Sequence, residues 1–196
     1  MTMNNTRQTP AQRIARDAAD YPSSLRTRLG ANAPEALVVL GDRSLLRSRR
    51  TALFCSARTP GDAILRAHDA ARRMRDECVT VISGFHSPIE KECLRILLRG
   101  RQPVIICPAR AIEAMRVPSE LRPAFEAGRV LFLTPFVAHP TRITREAAMR
   151  RNEVVAALAD DAYVAHISPG GDTARVVGLL LSWRVPIAGD SQHSAL

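Results

Sequence analysis

The chain has 196 residues, 46% apolar and only 4% aromatic, with a formal net charge of +9. That length and apolar share support one packed domain cored by Ala, Val, Leu and Ile and exclude disorder over most of the chain. Because the basic residues are nearly all arginine, with Lys91 the sole lysine, the excess charge points to a polyanion or phosphate partner; no apolar run approaches the roughly 18 residues of a membrane span.

Residues 1–19 are polar, with one weak helical pattern around Ile14 and no apolar stretch of the secretory kind. They are expected to be a flexible N-terminal segment ahead of a domain over 20–190, with 191–196 as a loose tail. Tyr21-Pro22 opens the organised part, and a short helix leads to Leu29. Ala36 to Leu40 reads as a strand ended by Gly41-Asp42. Thr51 to Cys55 is a continuous apolar strand of the kind buried on both faces. The segment from Asp62 to Asp76 places Ile64, Ala67, Ala71 and Met74 at spacings of three and four, an amphipathic helix.

Cys78 to Ile82 is the next apolar strand. Pro88 suits a first helical turn, and Ile89, Cys93, Ile96 and Leu97 mark the buried face of a helix stopped at Gly100. Pro103 to Cys107 and Val130 to Leu133 are further strands, separated by a mixed stretch of turns and short helices. Thr141 or Thr144 can cap a long helix that ends near Leu158. Ala162 to Ile167 is a strand, Gly171 to Trp183 a helix, and Val185 to Ala188 a final strand. Short apolar strands alternating with amphipathic helices predict an α/β, Rossmann-like three-layer sandwich, its mostly parallel sheet covered on both faces. Ligands of such sheets bind outside the carboxyl ends of the strands. Four loops belong there: Ser56–Gly61, Ser83–Pro88, Cys107–Arg110 and Ser168–Thr173.

The chemistry in those loops is that of phosphate binding. Ser168-Pro169-Gly170-Gly171-Asp172-Thr173 is a tight turn opening a helix. Its glycines let an anion approach the backbone, and the helix start aims free N–H groups at it. The same residues also suit an ordinary turn with Asp172 or Thr173 as helix cap. Ser56 and Arg58 can hold a phosphate or can be a cap and an exposed arginine. Ser83-Gly84 repeats the small-residue pattern, and His86 in that loop is a candidate contact. Arg150 and Arg151, adjacent on a helix, point to different sides, so at most one faces the cleft squarely. Asn152 is placed to brace a neighbouring loop. Glu90 and Glu92 read as solvated helix charges. Cys55, Cys78, Cys93 and Cys107 form no C-x-x-C pair and read as small core residues in a reducing compartment, so no metal site or cofactor is expected. No Walker motif, Ser-His-Asp order or paired carboxylate supports an enzymatic centre.

Several of these strings resemble the DNA-processing protein A family. Leu53-Phe54-Cys55-Ser56-Ala57-Arg58, Val79-Thr80-Val81-Ile82-Ser83-Gly84, Arg150-Arg151-Asn152-Glu153-Val154-Val155 and Val185-Pro186-Ile187-Ala188-Gly189 follow one another as that family's motifs do. Tyr21-Pro22 and Val39-Leu40-Gly41 are similar to its lead-in. The resemblance implies a Rossmann-like domain that binds single-stranded DNA in a basic pocket, forms homodimers and loads RecA during natural transformation, in the cytoplasm. By position it implicates Ser56, Arg58, Ser83, Gly84, Arg150, Arg151, Asn152, Gly170 and Gly171. Arg110 is added on charge and loop position, and Thr173 and His86 on the loops themselves. The family's G-S-R is Cys55-Ser56-Ala57 here, so its arginine is lost unless Arg58 substitutes. No winged-helix segment follows, so a minimal member is expected. Pro169-Gly170-Gly171-Asp172-Thr173 also resembles half of the motif of LOG-type nucleotide phosphoribohydrolases, which makes a nucleotide-binding or nucleotide-hydrolysing domain the alternative. Val176 stands where that motif's catalytic Glu is expected, which moves the expectation from hydrolysis to binding.

Overall fold

A computed structural model describes residues 10–56 and 59–189. Its sheet has eight strands: β1 (Gln12–Ala15), β2 (Ala36–Gly41), β3 (Arg50–Phe54), β4 (Thr80–Ser83), β5 (Val104–Ile106), β6 (Val130–Thr134), β7 (Asp161–Val164) and β8 (Ile187–Gly189). Their order across the sheet is β1-β2-β6-β5-β4-β3-β7-β8. From β6 to β8 every neighbour is parallel, whereas β2 runs antiparallel to β6 and β1 antiparallel to β2. The central parallel strands β3, β4, β5 and β6 are buried along their whole length because helices cover both sides.

Alternation along each strand sorts the core into two layers. Ala52 and Phe54 of β3 face the layer built with α1 (Ser23–Leu29), α5 (Arg145–Leu158) and α6 (Asp172–Ser182). Leu53 and Cys55 face the layer built with α2 (Gly61–Asp76), α3 (Pro88–Leu97) and α4 (Arg122–Glu126). The result is the expected three-layer Rossmann-like sandwich. Ala63, Ala67, Ala70 and Ala71 form the buried stripe of α2, and so little side-chain volume lets that helix lie close to the sheet. Thr144 caps α5 by accepting from the Ala147 N–H at 3.1 Å. At the other end of α5, Arg28 donates to the carbonyls of Ala157 and Ala159 at 3.1 and 2.6 Å, where a cation suits the helix dipole.

Two expectations are corrected here. Gln12–Ala15 is an edge strand inside the segment expected to be flexible, and it is not helical around Ile14. Its pairing with Ala36–Val39 puts Ile14, 2% exposed, into the core while its neighbours stay wet. One apolar residue in four cannot announce that by periodicity. The strand expected from Cys78 begins at Thr80, because Cys78 is an exposed turn residue with φ of 56°. Among the described residues no helix is long and apolar enough to cross a membrane.

Candidate functional site

The strand order creates one reversal. The chain leaves β3 for β4, β5 and β6 on one side, then returns to lay β7 and β8 on the other. A crevice therefore opens above the carboxyl ends of β3 and β7, the place where such sheets bind ligands. Ser56 stands directly after β3 at this point. Its hydroxyl donates to the His166 carbonyl at 2.9 Å, lies 3.1 Å from Thr173 Oγ1 and accepts from the Ser168 N–H at 3.3 Å. One buried serine thus joins the loop after β3 to the loop between β7 and α6.

The turn that follows is Gly170-Gly171. Gly170 has φ of 67°, a conformation that side chains rarely adopt, and it faces open space. Gly171 donates to the Ser168 carbonyl at 3.0 Å and is the residue before α6. Among the described residues no side chain caps α6, since Thr173 is turned to Ser56 and Asp172 pairs with Arg145 of α5 at 3.0 Å. The first-turn amides of α6 accordingly sit at the rim of the crevice.

On the other side of β3, a buried cation and a buried anion organise the strand ends. Arg151 reaches from α5 and donates to the Cys107 carbonyl after β5 at 2.7 Å. It is only 4% exposed, and its guanidinium packs against Gly84, where an added Cβ would come within 1.6 Å of Nη1. Only glycine permits that approach. Burial is the main influence lowering the Arg151 pKa, while nearby Glu90 and Cys107 oppose it. Glu90 is buried as well, and its carboxylate accepts from the N–H groups of Cys55 at 3.2 Å, His86 at 2.8 Å and Ser87 at 3.1 Å. Ser87 returns the favour by accepting from the Glu90 N–H at 3.2 Å, completing a capping box at the head of α3. Glu90 is therefore a brace between the ends of β3 and β4 and not a solvated charge. The pattern Ser87-x-x-Glu90 was its readable signal. Glu92 behaves differently, pairing with His68 across α2 and α3 at 2.8 Å.

The remaining candidates are scattered around these two clusters. Ser83 is fully buried and its hydroxyl accepts from the Phe85 N–H at 3.2 Å. His86 is exposed, with its main chain held by Glu90. Arg150 turns away from the crevice, donating to the Asn32 carbonyl and to Glu153. Asn152 is half-buried on α5. Arg110 follows β5, two strands from the reversal, and its carbonyl accepts from Thr134 Oγ1 at 2.9 Å. Arg58 lies outside the described residues. The thiols at the strand ends are poor nucleophiles: Cys55 is pushed up by hydrogen bonding to Cys93 and by burial, and burial pushes Cys107 to about 12. Sequence reasoning missed Arg145, which the Thr144 cap delivers to the head of α6.

The model of the DNA recombination-mediator protein A family matches residues 12–172. The chain belongs to this family. The match runs from the first strand to the head of α6, so it takes in both clusters. No curated protein matches the chain. Among solved structures, DNA processing protein A from Helicobacter pylori, whose structure concerns its single-stranded DNA binding mode, aligns with a TM-score of 0.71 at 15% identity, over 90% of this chain and 79% of that one. DNA processing protein A from Streptococcus pneumoniae aligns with a TM-score of 0.74 at 14% identity, over 93% of this chain and 64% of that one. A molybdenum cofactor binding protein from Rippkaea orientalis shares the fold more loosely, with a TM-score of 0.50 at 11% identity over 72% of this chain. At these identities the likeness establishes the Rossmann-like fold. Within that fold, this member of the DNA recombination-mediator protein A family keeps the Gly84 and Arg151 pair in contact and uses Glu90 to tie down the loop ahead of α3.

Proposed function

We propose that the crevice at the carboxyl edge binds single-stranded DNA and that the protein acts in DNA processing or recombination. The observation that carries this reading is the meeting of Ser56, Ser168 and Thr173 at the reversal between β3 and β7, beneath the head of α6. Hydroxyls, a glycine turn and first-turn amides suit a phosphate. Membership of the family and the likeness to the single-strand-binding protein of Helicobacter pylori support DNA as the source of that phosphate. In this reading Arg58, the exposed His86 and the half-buried Arg110 contact the strand, while Arg151, Gly84 and Ser83 hold the loops in place from below. Homodimer formation, delivery of the strand to RecA and a cytoplasmic setting belong to the same proposal.

Binding without hydrolysis fits the interior. Val176, which takes the place of a LOG-type carboxylate, is fully buried in the apolar layer under α6. A mobility-shift titration with single-stranded DNA, duplex DNA and competing mononucleotide tests the proposal. Single strands should bind most tightly, Arg58→Ala should weaken them, and mononucleotide should compete poorly. Displacement by micromolar mononucleotide would instead favour the nucleotide-binding alternative.

A further inference from the structure

The outer face of α3 carries charge that the crevice does not use. Ile89, Cys93 and Leu97 form its buried side. On the opposite side Lys91 and Arg95 are exposed and stand four residues apart, about 6 Å along the axis, and Arg99, exposed in the turn just past the helix, follows at the same sequence spacing. Arg101 continues the line past that turn, where the stem of Arg75 packs on Gly100. Among the described residues no carboxylate forms an ion pair with Lys91, Arg95, Arg99 or Arg101. The adjacent α2 differs, because Arg66 pairs with Asp62, Arg72 with Asp69 and Arg75 with Asp76.

The line also has a direction. It starts beside the loop of Gly84 and His86 at the carboxyl edge and descends to the turn that precedes β5 at the amino edge. We infer that single-stranded DNA leaving the crevice runs down α3, with successive phosphates paired to Lys91, Arg95, Arg99 and Arg101. This rests on the crevice being a single-strand site. Uncompensated positive charge selects a polyanion, and its even spacing suits a chain of phosphates. The exposed large apolar residues among the described ones are Leu65, Val137, Ile143 and Leu181, none of them on α3, so an acidic protein would find no apolar anchor there.

The test compares a short oligothymidylate, sufficient for the crevice alone, with one long enough to follow the helix. The full chain is measured beside a variant carrying Lys91→Gln, Arg95→Gln and Arg99→Gln, which keeps good helix formers at exposed positions. A charge-preserving variant, Lys91→Arg with Arg95→Lys and Arg99→Lys, controls for altered side chains, and thermal melts confirm the fold of both. The glutamine variant should bind the short strand like the wild type. For the long strand it should lose about tenfold in affinity and about 2 from the log–log salt slope, three phosphate contacts at about 0.7 each. The charge-preserving variant should retain both. Wild-type affinity and slope for the long strand in the glutamine variant, or equal weakening of both lengths, would overturn the track and leave the crevice standing. Failure of the wild type to bind either length would remove both readings.

Discussion

Arg151 lies under the crevice as a support, and its substitution should be read through stability first. Removing it deletes a charged hydrogen bond to Cys107 and leaves Glu90 without its nearby cation. Arg151→Met should therefore cost about 2 kcal/mol in chemical denaturation. Gly84→Ala should cost about 1–3 kcal/mol, since the new methyl group occupies the space of the guanidinium. Combined in one chain, the two substitutions should cost clearly less than their sum, because the methionine can yield to the methyl group. Additive losses would show that the two residues do not share that space in solution. The cysteines give a separate check. Cys78 is exposed and the other three are buried, with the Cys107 thiol held near 12, so a thiol reagent at pH 8 should modify Cys78 rapidly and the rest only on unfolding. Rapid modification of more than one thiol in the native protein would contradict the packing described.

At the scale of elements, α3 is both well started and electrostatically burdened. Its capping box joins Ser87 and Glu90, and Ser87→Ala should cost about 1 kcal/mol. The like charges at Lys91 and Arg95 oppose the helix by a few tenths of a kcal/mol, so high salt should stabilise the free protein slightly. The long, strongly periodic elements were legible in the sequence. The span of α2, the Pro88 start of α3 and the apolar strands β3 to β6 all fall within a few residues of expectation, although the buried face of α2 is Ala63, Ala67, Ala70 and Ala71, with Ile64 and Met74 only half-buried. The missed strand β1 is short and has one inward residue, so its existence depends on pairing with β2 and not on its own pattern. Glu90 was misread for a related reason. Local spacing cannot reveal that a helix-start carboxylate will meet the Cys55 N–H from a strand thirty-five positions earlier.

For the whole molecule, the reversal between β3 and β7 decides where chemistry gathers. The alternation of strands and helices forecast the loaded edge of the sheet but not the order of strands, so which loops adjoin was hidden. Ser56 and Thr173 became partners only through that order. Arg150 and Arg151, adjacent in sequence, project about 100° apart around α5 and so reach different partners, Asn32 and Cys107. The central claim is that the crevice holds the backbone of a single strand. Its most direct test is anisotropy of a labelled oligothymidylate over a range of salt, with wild type and Thr173→Glu. An acidic residue in the first turn of α6 suits that helix but repels a phosphate at its head. Binding should be tight at low salt and weaken by a slope of about 0.7 per contacted phosphate, with a loss of tenfold or more in the variant. Absent binding, salt-independent binding, or unchanged affinity in Thr173→Glu would contradict the claim.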